Sequence, residues 1–305
     1  MEEQTMVCCE AELASLDPLR RCKVVEELLV GRLLRKSQRV AQMWESTSRD
    51  WNETFYRMTA YAMGAPRNSE AFERLATRVT YLMCLKERSS LLRVEAMLLG
   101  TSGLLNGEYY DDYIVRLQDE FAYLANKYRL RGMVRGEWHQ GVGFPAGNPV
   151  RRVAQMAALV AKDNYSVDEL LKLRSLARVE EFFDVELGEY WSGRFAPDGK
   201  EGRGSAKMGR SKIYVMAINL VVPMLFAYGT VVGDESLKEQ AMDLLESIPA
   251  EHNHKVARWT GYGVPCHTAY DSQALIELSA YCAEKRCKEC PLAKMLRRPR
   301  VGSND

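Results

Sequence analysis

Cys22-Lys-Val-Val-Glu-Glu-Leu-Leu-Val-Gly-Arg-Leu-Leu-Arg-Lys-Ser-Gln-Arg-Val-Ala-Gln-Met-Trp44 decides the fold class. Val24, Val25, Leu28, Leu29, Leu33, Leu34, Val40 and Met43 recur at spacings of three and four, which lays one apolar stripe along a helix. Downstream, Asp50 is placed as the N-cap of a helix over 51–63, and Gly64 is a natural stop. Further helical patterning follows from Asn68, over 91–99 up to Gly100, and over 109–128. It resumes over 150–162, 167–173, 175–191, 213–228, 236–247, 251–260 and 272–282. No run of alternating β-branched residues is long enough for a multi-strand sheet. The expected fold is therefore all-α, an irregular multi-helix array.

Residues 132–149 hold five Gly and two Pro without periodicity, which marks a joint. This divides the chain into a helical subdomain over 1–131, a second over 150–298, and a disordered tail over 299–305. The 305 residues are 47% apolar and 27% charged, an ordinary globular composition that excludes wholesale disorder and fibrous repeats. The net charge of +1 means that affinity for a polyanion must come from local patches. The N-terminus is acidic and lacks the apolar stretch of a signal peptide. The 16-residue apolar run over 213–228 falls short of the roughly 20 residues of a spanning helix. A cytoplasmic protein with no membrane role is expected.

Cys282-Ala-Glu-Lys-Arg-Cys287-Lys-Glu-Cys290-Pro-Leu carries the strongest chemical signal. Two thiolates spaced C-x2-C reach one tetrahedral or cluster centre across a tight turn, which suits Zn²⁺ or an iron–sulfur cluster. Lys285, Arg286 and Lys288 are expected to lower the thiol pKa values. The cysteine loop resembles that of iron–sulfur DNA glycosylases, but its first spacing is four rather than six and no fourth Cys follows. Cys266 and His267 are poorly placed as a fourth ligand. The 11 intervening helical residues span about 16 Å. The Cys8-Cys9 pair reaches only by tertiary folding. Reduced thiols in a basic tail are the plainer alternative.

Lys200, Arg203, Lys207, Arg210 and Lys212 form a basic loop with one acid, Glu201. Residues 285–300 carry seven basic residues and one acid. Such patches supply the salt-sensitive part of nucleic-acid binding. Gly204-Ser-Ala-Lys-Met-Gly209-Arg-Ser211 nearly matches a phosphate-binding loop, but has Arg210 in place of Lys and no strand before it. Glu186, beside Tyr190 and Trp191, is the candidate centre of an acidic enzyme pocket. No Mg²⁺-type nuclease centre is legible.

Several segments, in order, resemble an uncharacterised bacterial family, domain of unknown function 2851. They include Arg32-Leu-Leu-Arg-Lys-Ser37, Asp50-Trp-Asn-Glu-Thr-Phe-Tyr56, Phe72-Glu-Arg-Leu-Ala76 and Glu95-Ala-Met-Leu-Leu-Gly-Thr-Ser-Gly-Leu-Leu105. Tyr190-Trp191, Ile218-Asn219 with Pro223, Phe226-Ala-Tyr-Gly229, Asp271-Ser-Gln-Ala-Leu275, and Tyr281-Cys282 with Cys287 and Cys290 continue the series. The resemblance implies a nuclease-like N-terminal segment in longer members, after which this chain reads as beginning. It also implies Cys9 as the fourth ligand beside Cys282, Cys287 and Cys290. The sequence departs from the family at 144–149, where Arg151 and Arg152 keep basic charge next door. The family's activity is not established, so the resemblance carries over no catalytic residue. The expectation is a non-catalytic accessory region that contacts nucleic acid. The competing expectation is a helical protein-interaction module.

Overall fold

The structure, a computed structural model, describes residues 9–139, 148–202 and 207–297. Among the described residues it consists of helices and connecting loops, with a single isolated bridge between Pro249 and Thr268. The all-α expectation holds. Two compact units are formed: Met1–Gln38 with Phe226–Asp305, and Arg39–Leu225.

The unit over Arg39–Leu225 is built on helices α3 (Trp51–Gly64), α4 (Ser69–Arg78), α5 (Tyr81–Glu87), α6 (Leu91–Thr101), α7 (Asp112–Tyr128) and α8 (Pro149–Val160). Asp50 caps α3 as expected, accepting from the backbone N–H of Asn52 at 2.8 Å and Glu53 at 3.1 Å. Helix α6 packs against both α7 and α8. Gly100 permits this approach, because a Cβ there would stand 2.1 Å from the Phe121 ring. Leu98, Leu99, Leu117, Leu124, Val153 and Ala157 close the core around it. Short helices α9 (Val167–Leu171), α10 (Leu176–Phe183) and α11 (Glu189–Gly193) complete this side.

Helix α12 (Arg210–Val232) runs 23 residues, longer than the 213–228 run expected from composition. It is long and apolar enough to cross a membrane, yet 67% of its most apolar window is buried within the protein. Its middle, Ala217–Val221, is a π turn, and Asn219 there donates to the Val215 carbonyl at 3.0 Å.

The other unit contains α1 (Cys9–Ser15), the first part of α2 (Pro18–Ser46), α13 (Glu235–Ser247), α14 (His254–Thr260), α15 (Ala269–Ala283) and α16 (Pro291–Arg297). Helices α13 and α14 pack on α15, and α1 packs on α16. Leu28, Leu29 and Leu33 of the expected stripe on α2 are buried, whereas Leu34 is 48% exposed.

Two expectations are corrected. The chain does not divide at 132–149, since α6 and α8 on either side of it pack together. Both ends of the chain instead share one unit, and its boundaries fall inside α2 and α12. Glycine content marks loops, but it cannot say which helices bury one another. The single helix expected over 175–191 is two, α10 and α11. Val185 and Leu187 are buried while Asp184 and Glu186 are exposed, a period of two that extended backbone satisfies and a helix does not. Helices α1, α5 and α16 are additions to the sequence reading. Residues 140–147 and 298–305, within the expected joint and tail, lie outside the described residues.

Candidate functional site

The cysteine end is assembled from three places. Cys9 opens α1, Cys282 lies in the last turn of α15, and Cys290 immediately precedes Pro291 at the start of α16. Lys285 takes a left-handed φ of 55°, which ends α15. Arg286 N–H then returns to the Tyr281 carbonyl at 2.9 Å. Cys290 N–H donates to the Arg286 carbonyl at 3.1 Å. The resulting turn buries Cys290 and leaves Cys287 exposed.

Burial pushes the Cys282 thiol up to about 11, and nearby Cys9 and Cys290 push it the same way; Arg258 opposes them. For Cys282 this corrects the expectation of a thiol acidified by the local basic residues. Arg286 lies over the Tyr281 ring at 4.3 Å and pairs with Glu284 and Glu289. An all-sulfur donor set is chemically suited to Zn²⁺ or an iron–sulfur cluster. However, among the described residues no three His, Cys, Asp or Glu side chains are arranged to hold a metal. Cys8 lies outside the described residues.

The basic residues singled out from the sequence separate into three groups. Lys207 pairs with Asp184 at 2.8 Å and Arg210 with Glu180 at 3.4 Å, so both charges are largely answered. Lys200 is exposed, and Arg203 lies outside the described residues together with part of the near-phosphate-loop motif. Arg151, Arg152 and Lys212 form the third group.

Asn148 caps α8, accepting from Val150 N–H at 2.9 Å, with Pro149 as the first helical residue. This places Arg151 and Arg152 in the first turns of α8, where the helix dipole already presents positive charge. Arg151 is only 2% exposed. Its Nη1 donates to the carbonyls of Trp191 at 3.3 Å and Arg194 at 3.4 Å, and its guanidinium lies 4.4 Å from the Phe195 ring centre. Among the described residues the Arg152 side chain donates to Gln155 Oε1 at 2.8 Å.

Lys212 projects from the first turn of α12 onto the C-terminal end of α3. Its Nζ donates to the carbonyls of Ala62 at 2.8 Å, Met63 at 3.0 Å and Ala65 at 3.4 Å. Burial first, and then the neighbouring Arg152, lower the Lys212 ammonium to about 7. Burial and the neighbouring Arg151 bring Arg152 down to about 10. Neither α8 nor the start of α12 has an acid in its first turn. No carboxylate figures among the causes of these shifts. For Arg152 and Lys212, buried positive charge is thus met among the described residues by neutral acceptors, which is costly in a folded protein.

A further buried group was not anticipated. Glu95 on α6 is 0% exposed. Its Oε2 accepts from Trp191 Nε1 at 3.1 Å and from the Tyr113 hydroxyl, while Oε1 has no protein partner among the described residues. Burial raises this carboxyl to about 7, against the lowering effect of its two neutral donors. The acid beside Trp191 is thus Glu95, whereas Glu186 is exposed. The visible hint was a lone acid in the apolar run Leu91-Leu-Arg-Val-Glu-Ala-Met-Leu-Leu99.

No curated protein and no solved structure matches the chain. The sequence profile of a family described as proteins of unknown function, DUF2851, matches residues 1–254. Cys9, Glu95, the Arg151–Arg152 pair and Lys212 fall inside that range, and Cys282, Cys287 and Cys290 lie beyond it. With most of its 305 residues covered by the profile, the chain belongs to the DUF2851 family.

Proposed function

We propose that this chain is a non-catalytic helical region that contacts nucleic acid through phosphate groups, working beside a nuclease-like partner segment in a reducing cytoplasm. The observation that carries the reading is that Arg152 bears on Lys212 while, among the described residues, no carboxylate figures in the shift of either. A phosphate supplies the missing charge and accepts hydrogen bonds from a guanidinium.

A soft metal held by Cys9, Cys282, Cys287 and Cys290 would fasten α16 to α1. Support comes from the packing of α1 on α16 and from the influence of Cys9 and Cys290 on Cys282. Ligation requires the exposed Cys287 turn to close over the other three thiols. Elemental analysis and a visible spectrum of purified protein test this: zinc or iron at one site per chain is expected, and metal-free protein sinks it.

Nucleic-acid contact is tested by fluorescence anisotropy with a labelled duplex and a labelled single strand across a salt series. About three phosphate contacts to a single strand predict a log–log salt slope near −2. Binding that shows no salt dependence, or none at low salt, overturns the reading. The second reading, a protein-interaction module, is favoured by Leu82 and Leu85. They lie three residues apart on α5 and remain 56% and 37% exposed.

A further inference from the structure

We propose that Glu95 is a proton-operated latch for the segment 184–202: with the carboxyl protonated, α11 is held against α6 and α7, and loss of the proton loosens that hold. All parts of the latch belong to the unit over Arg39–Leu225.

One carboxyl is shared by three helices. Glu95 projects from α6 into the interior, and its Oε2 accepts from donors on two other elements. These are the Tyr113 hydroxyl of α7 and Trp191 Nε1 of α11, the latter at 3.1 Å. Trp191 is itself fully buried, so the docking of α11 and the bonding of Glu95 go together. Gly188, the N-cap of α11, closes over the pair. A Cβ there would stand 3.3 Å from the Tyr113 hydroxyl and 3.7 Å from Glu95 Oε1. Oε1 has no partner among the described residues. Tyr190 of α11 stacks on the Tyr113 ring, with centroids 4.9 Å apart, and covers it from the same side.

A neutral carboxyl suits this place, because both donors are neutral. A carboxylate there holds a full charge away from water with one oxygen unanswered, a cost that solvent relieves only when α11 moves away. The charged groups on the surrounding elements do not relieve it. Arg93, on α6 itself, pairs with Glu87 of α5 and Glu120 of α7. Arg116 of α7 acts on Tyr113 rather than on Glu95. Arg151 of α8 donates to the Trp191 and Arg194 carbonyls, and Arg194 lies over the Tyr190 ring at 4.8 Å. The buried residues of α4 are apolar. Burial accordingly raises the Glu95 carboxyl to about 7, against the lowering by Tyr113 and Trp191. Opening of α11 therefore becomes more frequent as pH rises from the ordinary carboxylate range to about 7, and levels off above it. Each opening also withdraws two carbonyl acceptors from Arg151.

Hydrogen exchange read by mass spectrometry on the full chain tests the latch. After correction for intrinsic exchange, peptides over 187–194 should exchange on the order of 50-fold faster at pH 8 than at pH 5, a ratio set by the carboxyl's two pKa values. Glu95→Gln keeps an acceptor for both donors and cannot ionise, so it should remove this pH dependence. Tyr113→Phe should carry it to higher pH, because the lost hydroxyl favoured the charged form. An infrared C=O stretch of a protonated carboxyl, present in the unmutated protein and absent from Glu95→Gln, should disappear with a midpoint near 7. Exchange over 187–194 that ignores pH overturns the latch, and so does an equal pH dependence in Glu95→Gln. A parallel rise over 269–283, in the other unit, means general loosening and overturns it as well. Should Glu95→Gln fail to fold, Tyr113→Phe carries the test, and an unmoved midpoint in that variant overturns the proposal.

Discussion

Arg32, Arg35 and Lys36 in one compact unit, and Arg151, Arg152 and Lys212 in the other, are comparable sets of basic residues in opposite surroundings. In the first set, Glu277 on α15 pairs with Arg32 at 3.4 Å and with Arg35 at closer range. Gln273 Oε1 accepts from Arg32 Nε at 2.5 Å and Lys36 Nζ at 2.7 Å, and Gln273 in turn donates to Glu251. Two carboxylates and an amide thus answer three cations, and the cluster holds α2 to α15. In the second set, Arg152 and Lys212 meet among the described residues neutral acceptors: one glutamine and backbone carbonyls. Charge alone therefore does not mark a site. A cluster supplied with its own acids holds the fold.

The largest expected effect tests the compensated set. Glu277 is 2% exposed, and Glu277→Gln removes the carboxylate that pairs with both Arg32 and Arg35. A loss of about 4 kcal/mol is expected by urea denaturation, in the range found when a buried pair is broken. A loss below about 1 kcal/mol would make the two clusters alike.

The next effect uses buried Glu95, whose donors, like the acceptors of the second cation set, are neutral. Its carboxyl is raised in the folded state, so stability is full below the unfolded pKa of about 4.5. It falls as pH rises through about 7, where the folded carboxyl ionises. The cost reaches about 3 kcal/mol by pH 8, following from the size of the shift. Glu95→Gln should flatten that slope in denaturant titrations at successive pH values, and an unchanged slope would refute the assignment. Lys212 acts with the opposite sign. Its folded ammonium is lowered to about 7, so the unfolded chain holds more protons between there and 10.5, and stability rises over that window. Lys36 is lowered too, by burial and then Arg32, and adds in the same direction.

The smallest effect concerns Arg152. In phosphate-free buffer Arg152→Met should be neutral or stabilising by about 1 kcal/mol, because it removes a partly buried charge whose side-chain acceptor among the described residues is a neutral amide. Marked destabilisation would show that the second cluster is structural after all.

Much of the framework was readable in the chain. The stripe on α2, the Asp50 cap and the run within α12 each follow from local periodicity or capping chemistry. The π turn in α12 and the break between α10 and α11 were less accessible. They depend on which side chains a neighbouring helix buries. The cysteines drew notice through their spacing, but the direction of the Cys282 shift did not follow from nearby basic residues. Burial and two thiols from other elements outweigh them.

By itself the sequence determined that this chain is helical, where most helices start and stop, and which residue types could meet an anion or a soft metal. Those properties are set within a few residues, by periodicity, caps and composition. Only the tertiary structure decided that both chain ends share one unit, that Glu95 rather than Glu186 stands against Trp191, and that Arg152 and Lys212 meet without an acid. Each of these depends on residues distant in sequence being brought together in a low-dielectric interior, where the presence or absence of one counter-charge sets the role of a side chain.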